Sequence, residues 1–523
     1  MHLQKIPFRS THSFTEFFLK YIDQDPSLQI FYNSFPAPGN FKKQIEQKEA
    51  FPATTRKVLV ETLMRQYSSI KDPFNPVKEN IEALRDSKTF TVVTGHQLNI
   101  FTGPLYFIYK IITVINACRE LKKLYPAYRF VPVYWMASED HDYEEIKSFR
   151  LYGQKYIWET NQQGAVGKFN TKEIRALLNK LPGDVSVFAD AYSKNDLLSD
   201  AVRHYVNQLF GDQGLVVIDA DDRELKKLLQ PVMISDIINH KPFEIVEDTN
   251  KKLATLGFHA QVNPREINFF YLEQNLRSRI EKKGKDYIVV DTDIHFSEEA
   301  IRKLIAAEPE KFSPNVILRP LYQEMILPNL AYVGGPAELV YWLELKGVFD
   351  HFKIPFPMLM PRNFAMVLDA PMSRKLGKTG LQIADFFNDK NYLFNHWVVN
   401  HSNHELSLGE ALKNANALLK EIEARCSRID ATLVPMAKAE ATRIQHALEK
   451  IEKKMLRAEK RQHTDKLRQI GFIKDELFPN GSLQERTDNF LNFYQKDGAF
   501  IKKVGEQFDP FDYRFNVLIY DHE

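Results

Sequence analysis

Short apolar runs alternate with helical periodicities along most of the chain. One apolar run begins at Phe90 and ends in Thr94-Gly95-His96-Gln97; a second, FVPVYW, ends in MASEDHDYEE. The segment between them, GPLYFIYKIITVINACRELKKLY, has helical periodicity. This pattern predicts a βαβ unit with buried parallel strands. Because such units are nearly always right-handed, we expect both strands to lie in one sheet.

The α/β pattern extends on both sides of this unit. Residues 1–85 mix helical patterns with the connections FPAPGN and KDPFNPVKEN, which predicts an N-terminal helical wrap. Residues 86–380 are predicted to form the α/β core. Within them, residues near 250–310 alternate in an antiparallel manner, as expected for an inserted subdomain. The strand-like residues 506–523 are predicted to return to the core.

Residues 381–505 have a different sequence pattern, which predicts a long helical domain. Apolar residues recur there at spacings of three and four, as in the seam of a coiled coil. They are Leu412, Ala415, Leu419, Ile422, Cys426, Ile429, Leu433 and Met436, followed by Ala441, Ile444, Leu448, Ile451, Met455 and Ala458. Pro435 is unfavourable inside a helix, so we predict two helices joined near Asp430–Pro435. The pattern leaves open whether they pair with each other or with a second chain.

Composition narrows the functional classes. A net charge of +2, from 70 basic and 68 acidic residues, gives no general signal for nucleic acid or for a membrane surface. The two cysteines, Cys118 and Cys426, and the lack of an apolar span or leader lead us to expect a cytoplasmic protein. His396, His401 and His404 have no cysteine or acidic set beside them, so no metal centre is predicted.

The first candidate site follows the Phe90 strand. Ligands bind at the carboxyl ends of strands in open α/β sheets, and a glycine there lets the backbone approach a ligand. Gly103-Pro104 suits the start of a helix, whose N-terminus favours anions. The candidate residues are Thr94, Gly95, His96, Gln97 and Gly103. The alternative is an ordinary strand-to-helix turn.

The second candidate site follows the next strand. A hydroxyl, an imidazole and three carboxylates stand within five residues, namely Ser138, Glu139, Asp140, His141 and Asp142. Such a set can bind Mg²⁺ or act as a general base toward an amine. The alternative is a helix N-cap, which Ser138 and the acidic residues also suit.

A third cluster lies within NVILRPLYQEMILPNLAYVGGPAELVYWLEL. Arg319 is a fork-shaped donor for carboxylate or phosphate. Gly334 and Gly335 turn the chain into a helix that carries Glu338 and Tyr341. The alternative is a structural loop with a capped helix.

Together, TGHQLNIFTGPLYFIYKI, VYWMASEDHDYEEI, NVILRPLYQEMILPNLAYVGGPAELVYW and LFPNGSLQER resemble, in order, the BshC family. The resemblance implies a Rossmann-like core of the nucleotidyltransferase type with connecting insertions, and a coiled-coil domain that forms a homodimer. The implied activity is the addition of cysteine to the amine of glucosaminyl-malate, which gives the thiol bacillithiol.

Joining a carboxylate to an amine requires activation, and we expect ATP to supply it through an acyl adenylate, or alternatively an acyl phosphate, with Mg²⁺ as a further cofactor. The expected catalytic residues are His96, Glu139, Asp140, His141 and Asp142. His96 is assigned to phosphate, His141 to proton removal, and the carboxylates to the amine or Mg²⁺. The expected substrate-binding residues are Thr94, Gly95, Gln97, Gly103, Ser138, Arg319, Gly334, Gly335, Glu338 and Tyr341.

Two other functional classes remain as alternatives. The first is a non-catalytic Rossmann and coiled-coil protein that acts as a binding partner or scaffold. The second is a tRNA-linked enzyme, against which the near-neutral charge and the lack of a basic stripe argue.

Overall fold

The computed structural model describes residues 1–70 and 73–520. Residues 71–72 of the predicted connection KDPFNPVKEN, and residues 521–523 of the predicted C-terminal segment, lie outside that range. The chain divides into two compact units. The first comprises Met1–Arg9, Ser13–Met366 and Ser482–Leu518, and the second consists mainly of Val367–Gly481.

Fifteen strands lie in the described residues. In chain order they are β1 (His2–Pro7), β2 (Thr89–His96), β3 (Arg129–Met136), β4 (Ser148–Leu151), β5 (Gln154–Ile157), β6 (Val216–Asp219), β7 (Phe269–Glu273), β8 (Leu276–Lys283), β9 (Asp286–Val289), β10 (His295–Ser297), β11 (Phe312–Pro314), β12 (Asn329–Gly334), β13 (Met358–Pro361), β14 (Phe364–Leu368) and β15 (Arg514–Ile519).

The α-helices connect and cover these strands or form the second unit. In chain order they are α1 (Glu16–Ile22), α2 (Phe41–Lys48), α3 (Ala53–Tyr67), α4 (Asn75–Ala83), α5 (Tyr106–Leu124), α6 (Tyr143–Ile146), α7 (Arg175–Leu178), α8 (Ser186–Lys194), α9 (Leu198–Phe210), α10 (Arg223–Lys227), α11 (Gln230–Ile237), α12 (Lys241–Thr255), α13 (Glu298–Ala307), α14 (Arg319–Ile326), α15 (Pro336–Leu343), α16 (Lys346–Phe352), α17 (Ala370–Gly377), α18 (Lys390–His401), α19 (Gly409–Ile429), α20 (Val434–Gln462), α21 (Thr464–Leu477), α22 (Gln484–Thr487), α23 (Leu491–Tyr494) and α24 (Phe500–Gln507).

A five-stranded parallel sheet forms the centre of the first unit, with the strand order β13-β12-β2-β3-β6. The predicted βαβ unit is confirmed, since β2 and β3 pair in parallel and α5 connects them. Phe90, Val92 and Val93 of β2 are completely buried, as the unbroken apolar run predicts. Because the strand order reverses between β2 and β12, the ligand crevice is expected above the carboxyl ends of these two strands.

A second five-stranded sheet, β10-β9-β8-β7-β11, is antiparallel and belongs to the predicted inserted segment. Side chains alternate between the two faces of a strand. On β8, Ile280 is buried on one face, whereas Arg277 and Arg279 lie on the other. This alternation places two arginines on the same face of β8. A third sheet, β1-β15-β14, brings together strands from the two ends of the chain.

The second unit contains the predicted helical hairpin. The helices α19 and α20 flank a short turn, and Pro435 lies in the first turn of α20, where proline is tolerated. They pair with each other within this chain: Gln445 Nε2 donates a hydrogen bond to Asn416 Oδ1 at 2.7 Å. The hairpin nevertheless leaves large apolar side chains exposed, namely Leu418, Ile422, Ile429, Met436, Ile444 and Ile451. Among the described residues, no helix is long and apolar enough to cross a membrane.

Candidate active site

A cavity of about 770 Å³ lies at the carboxyl ends of β2, β3 and β12, and residues of the inserted sheet form one of its walls. Three loops that are far apart in the sequence meet there. The predicted residues that line the cavity are Gly95, His96, Gln97, Ser138, Glu139, Asp140, Arg319, Glu338 and Tyr341. The predicted strand-end clusters are therefore adjacent in space.

An ion pair between Lys110 and Glu338 lines this cavity. Lys110 Nζ contacts Glu338 Oε1 at 2.6 Å and donates a hydrogen bond to the Gly95 carbonyl at 2.8 Å. Tyr332 donates to the other oxygen of Glu338 at 2.6 Å. Burial alone raises the pKa of Glu338, but the Lys110 charge and these hydrogen bonds outweigh burial, so the pKa lies below its ordinary value. The carboxylate therefore remains charged at neutral pH.

His96 is held as a neutral imidazole. Burial, and then the positive charges of Lys110 and Arg362, lower the pKa of His96 well below its usual value. Its ring lies against Tyr106 and Phe107, with centroid separations of 5.4 and 5.3 Å. The buried Nε2 atom has no hydrogen-bond partner among the described residues. Because a buried polar atom is normally paired, this nitrogen is available to a ligand.

Arg319 is held by aromatic rings rather than by a carboxylate. Its guanidinium carbon lies 5.9, 5.6 and 5.9 Å from the ring centroids of Trp135, Tyr332 and Trp342. The Nη1 atom donates to Gln323 Oε1 at 3.1 Å. No salt bridge from Arg319 to a carboxylate is present within residues 1–70 and 73–520. This arrangement leaves a partly buried positive charge at the cavity, which suits carboxylate or phosphate recognition.

A buried polar network holds the side chain that contacts Arg319. Gln323 Nε2 donates to Glu324 Oε1 at 3.1 Å, which fixes the orientation of the amide that Arg319 contacts. Lys48 Nζ pairs with Glu324 Oε2 at 2.8 Å, and both of these side chains are buried. The network therefore links the position of Arg319 to an ion pair in the core.

The acidic cluster after β3 is partly neutralised by a lysine that sequence reasoning missed. Lys226 Nζ lies 2.6 Å from Glu139 Oε1 and 2.7 Å from Asp221 Oδ1. Burial lowers the pKa of Lys226, but the two carboxylates outweigh burial and raise it overall. Ser138 donates a short hydrogen bond to Asp219.

These contacts bear on the expected Mg²⁺. The side-chain ammonium group of Lys226 lies between Glu139 and Asp221, where a metal ion would otherwise bind. These carboxylates therefore do not fit a metal held by the protein. Within the described residues no group of three or more histidine, cysteine or acidic side chains could hold one. We therefore assign no chemical step to a metal bound by these side chains.

Asp140 is the carboxylate of the cluster that faces the cavity without a close cation. Gln97 Nε2 donates to its Oδ2 at 3.1 Å, and the His141 backbone N–H donates to its Oδ1 at 2.7 Å. Arg277 approaches it only to 3.9 Å. Asp140 is thus positioned by hydrogen bonds and can accept a proton.

His141 and Asp142 have other contacts. The Nδ1 atom of His141 lies 2.6 Å from Arg277 Nη1. Burial and the Arg277 charge lower the pKa of His141, so it is a neutral ring whose Nδ1 lone pair accepts this hydrogen bond. That lone pair is engaged rather than free for proton removal. Asp142 caps α6 by accepting a hydrogen bond from the Glu145 N–H at 3.2 Å, which matches the predicted alternative of an N-cap in this segment.

Four further predicted residues do not line the cavity. Thr94 is buried and donates to the Val333 carbonyl at 2.8 Å. Gly103 has a φ of +62°, and a Cβ there would lie 2.6 Å from Asn99 Cβ, so its role is in the turn. Gly334 ends β12, and Gly335 is the N-cap residue of α15.

The cavity also contains residues that sequence reasoning did not select. Lys110 had a recognisable signal, because it is a lysine on the buried face of the apolar helix α5. Arg277 and Arg279 show the alternation of a strand that places two arginines on one face. Trp135 and Tyr332 lie within apolar runs and gave no separate signal.

Comparisons with known proteins agree with this architecture. Residues 1–363 match the family described as "Bacillithiol biosynthesis BshC, N-terminal Rossmann-like domain". Residues 365–520 match the description "Bacillithiol biosynthesis BshC, C-terminal coiled-coil domain". The predicted Rossmann-like core and coiled-coil domain are thereby confirmed.

Full-length relatives carry the name "Putative cysteine ligase BshC". The chain is 40% identical to the protein of Flavobacterium psychrophilum over 526 residues, covering 98% of both chains. It is 39% identical to that of Christiangramia forsetii, covering 99% of both. It is 28% identical to that of Natranaerobius thermophilus, covering 94% of this chain and 95% of the relative.

Proposed function

This chain belongs to the bacillithiol biosynthesis BshC family, and on that premise we propose that it joins the carboxyl group of cysteine to the amine of glucosaminyl-malate. The observation that carries this proposal is the cavity at the strand ends. Its volume of about 770 Å³ lies in the range of small-molecule sites. It combines an arginine that has no salt bridge to a carboxylate among the described residues, a neutral imidazole, and a carboxylate held by hydrogen bonds, which are groups that amide formation can use.

ATP is the proposed source of activation. A carboxylate oxygen of cysteine attacks the α-phosphorus of ATP, pyrophosphate leaves, and an acyl adenylate forms. An acyl phosphate, formed by attack at the γ-phosphorus, is the alternative. The neutral His96 and the amide of Gln97 line the cavity at the end of β2, and Gly95 beside them leaves room for a ligand to approach the backbone. We assign phosphate contacts to these residues. Mg²⁺ would arrive as part of the nucleotide complex.

The second step is attack by the glucosaminyl amine on the activated carbonyl. The amine must lose a proton before or during this step, and AMP leaves as the amide forms. We assign proton acceptance to Asp140, because Glu139 is paired with Lys226 and the His141 lone pair is engaged. General-base assistance typically contributes about 10²- to 10⁴-fold to a rate.

The coiled-coil unit is proposed to form a homodimer. Ile429 is 79% exposed and Met436 is 57% exposed, although both belong to the predicted apolar seam. Exposed apolar side chains in a row favour association. A second copy of the hairpin would bury them.

The assay for this function contains the purified chain, glucosaminyl-malate, cysteine and Mg-ATP, and the thiol product is measured by mass spectrometry after alkylation. We expect product with the wild type. His96→Ala and Asp140→Asn should lower its rate by about 10²-fold or more. Asp248→Asn, which removes an exposed carboxylate on α12, is the control and should leave the rate unchanged. If the wild type forms no product, and if none of these ligands stabilises the folded protein against heat, the protein would instead be a non-catalytic scaffold.

A further inference from the structure

We propose that the inserted antiparallel sheet provides a carboxylate-binding subsite centred on Arg277, which selects a dicarboxylate over a monocarboxylate. This inference rests on the proposed function, in which the malyl group of the acceptor substrate carries two carboxylates. It assigns one of them to Arg277 on the inserted wall and the other to Arg319 on the Rossmann-like wall. The insertion then acts as a specificity element for the acceptor substrate.

Arg277 is held rigidly at the cavity. Its side chain is only 7% exposed. The guanidinium lies 4.0 Å from the centroid of the Phe270 ring, and its Nε donates to Ser313 Oγ at 3.1 Å. Nη1 contacts His141 Nδ1 at 2.6 Å, and Nη2 donates to the Pro314 carbonyl at 3.4 Å. A surface arginine would not be fixed by so many neutral contacts.

The charge of Arg277 is not matched by a close carboxylate. Its nearest acidic partner, Asp140, is 3.9 Å away and accepts hydrogen bonds from Gln97 and from backbone N–H groups. Burial lowers the pKa of Arg277, which reflects the cost of keeping this charge away from water. A buried positive charge whose ion pair is as long as 3.9 Å is only partly compensated, and an anionic ligand would offset the remaining cost.

The surroundings favour a ligand with more than one negative group. Arg265 and Arg279 line the same cavity, and of these Arg279 pairs with Glu281 at 3.5 Å. Arg319 offers a second, partly buried guanidinium with no carboxylate partner among the described residues. Planar guanidinium groups recognise carboxylates through two parallel hydrogen bonds. Arg277 and Arg319 line the same cavity from separate walls, so we assign one carboxylate of a dicarboxylate to each.

The test measures binding of L-malate and L-lactate by isothermal titration calorimetry. The two ligands are both 2-hydroxy acids and differ by one carboxylate. We expect the wild type to bind malate at least about 10-fold more tightly than lactate, since a hydrogen bond to a charged group contributes roughly that much. Arg277→Gln should abolish most of this preference, and Arg277→Lys should retain part of it. Arg302→Gln removes an exposed arginine of the same segment and should leave the preference intact.

A wild type that binds malate no more tightly than lactate would overturn the proposal. An Arg277→Gln protein that keeps the full preference for malate over lactate would also overturn it. The same holds if Arg277→Gln weakens the binding of ATP but not the binding of malate. The preference is the ratio of the malate and lactate affinities of one variant. A general folding defect would weaken the binding of both ligands equally and would leave this ratio unchanged. If the preference depends on Arg277 but the wild type forms no thiol product, the subsite is supported and the ligase function fails. If the wild type forms product but the preference does not depend on Arg277, the ligase function is supported and the subsite is overturned.

Discussion

Lys110→Met is expected to destabilise the Rossmann-like unit in a strongly pH-dependent way. The substitution removes the ammonium that lies 2.6 Å from Glu338 and also removes the donor to the Gly95 carbonyl. Lys110 is 2% exposed and Glu338 is 27% exposed, so the carboxylate that remains cannot be fully hydrated. Breaking a buried pair in this way typically costs about 3–5 kcal/mol. Because Tyr332 still donates to Glu338, we expect a loss near the lower end, about 3 kcal/mol.

The direction of the pH dependence follows from Glu338. In the wild type its pKa lies below the ordinary value, so its contribution to stability is present above a pH of about 4.3 and is lost as the pH falls. Without Lys110, burial dominates and the pKa of Glu338 rises above the ordinary value, so the charged form opposes folding. The stability difference between wild type and Lys110→Met should therefore be largest at pH 7–8 and shrink toward about pH 5.

Urea denaturation followed by tryptophan fluorescence measures this difference, since three of the four tryptophans lie in the Rossmann-like unit. Lys346→Met is the matched control, because Lys346 forms an i,i+4 pair with an exposed aspartate at 2.7 Å. Its removal should cost no more than about 0.5 kcal/mol. The double variant Lys110→Met/Glu338→Gln should regain much of the lost stability. A Lys110→Met loss equal to that of the control, or one that does not change with pH, would contradict the assigned role of the Lys110–Glu338 pair.

Three further predictions concern other parts of the protein, namely Lys226, Asp236 and the helical hairpin. Lys226→Met removes the buried cation between Glu139 and Asp221, although Asp221 keeps its ion pair with Lys168 at 2.9 Å. The free energy of unfolding in urea should fall by about 3 kcal/mol; a loss below about 1 kcal/mol would contradict the ion-pair assignment. Burial raises the pKa of Asp236 to about 7, so the contribution of this group to stability should fall as the pH rises from about 4 to 7. Melts across that range should therefore show a more positive slope of stability against pH for Asp236→Asn than for the wild type; equal slopes in the two proteins would contradict the prediction. Ile429→Lys with Ile451→Lys should convert the proposed homodimer to a monomer in sedimentation velocity, whereas an unchanged dimer would place the interface elsewhere.

Much of the fold was predictable because local patterns and tertiary structure agree. The apolar runs ending at Gly95 and Trp135 are central parallel strands, and the polar residues after them meet, as the contact between Gln97 and Asp140 at 3.1 Å shows. The change of periodicity near Pro435 marks the turn between α19 and α20. In the two strands, the apolar positions in the sequence lie on the faces that pack against the core.

The chemistry of individual side chains was less predictable, because it depends on residues distant in the sequence. From the sequence alone, Glu139 in the turn after β3 looks like a metal ligand or a base, but Lys226 on α10 lies 2.6 Å from it. Arg277 and His141 are 136 positions apart and become neighbours only when the inserted sheet packs against the core. A charged group takes its protonation state and availability from such partners, and no local pattern records them.

Transfer of ¹⁸O from cysteine tests the central claim most directly. Cysteine labelled at both carboxyl oxygens is incubated with glucosaminyl-malate, Mg-ATP and the wild-type chain, and the products are analysed by mass spectrometry. Amide formation through an acyl adenylate must leave one labelled oxygen on AMP, and an acyl phosphate would leave it on inorganic phosphate. We predict thiol product together with labelled AMP in equal amounts. No thiol product, or product formed without label in AMP or phosphate, would contradict an ATP-dependent cysteine ligase.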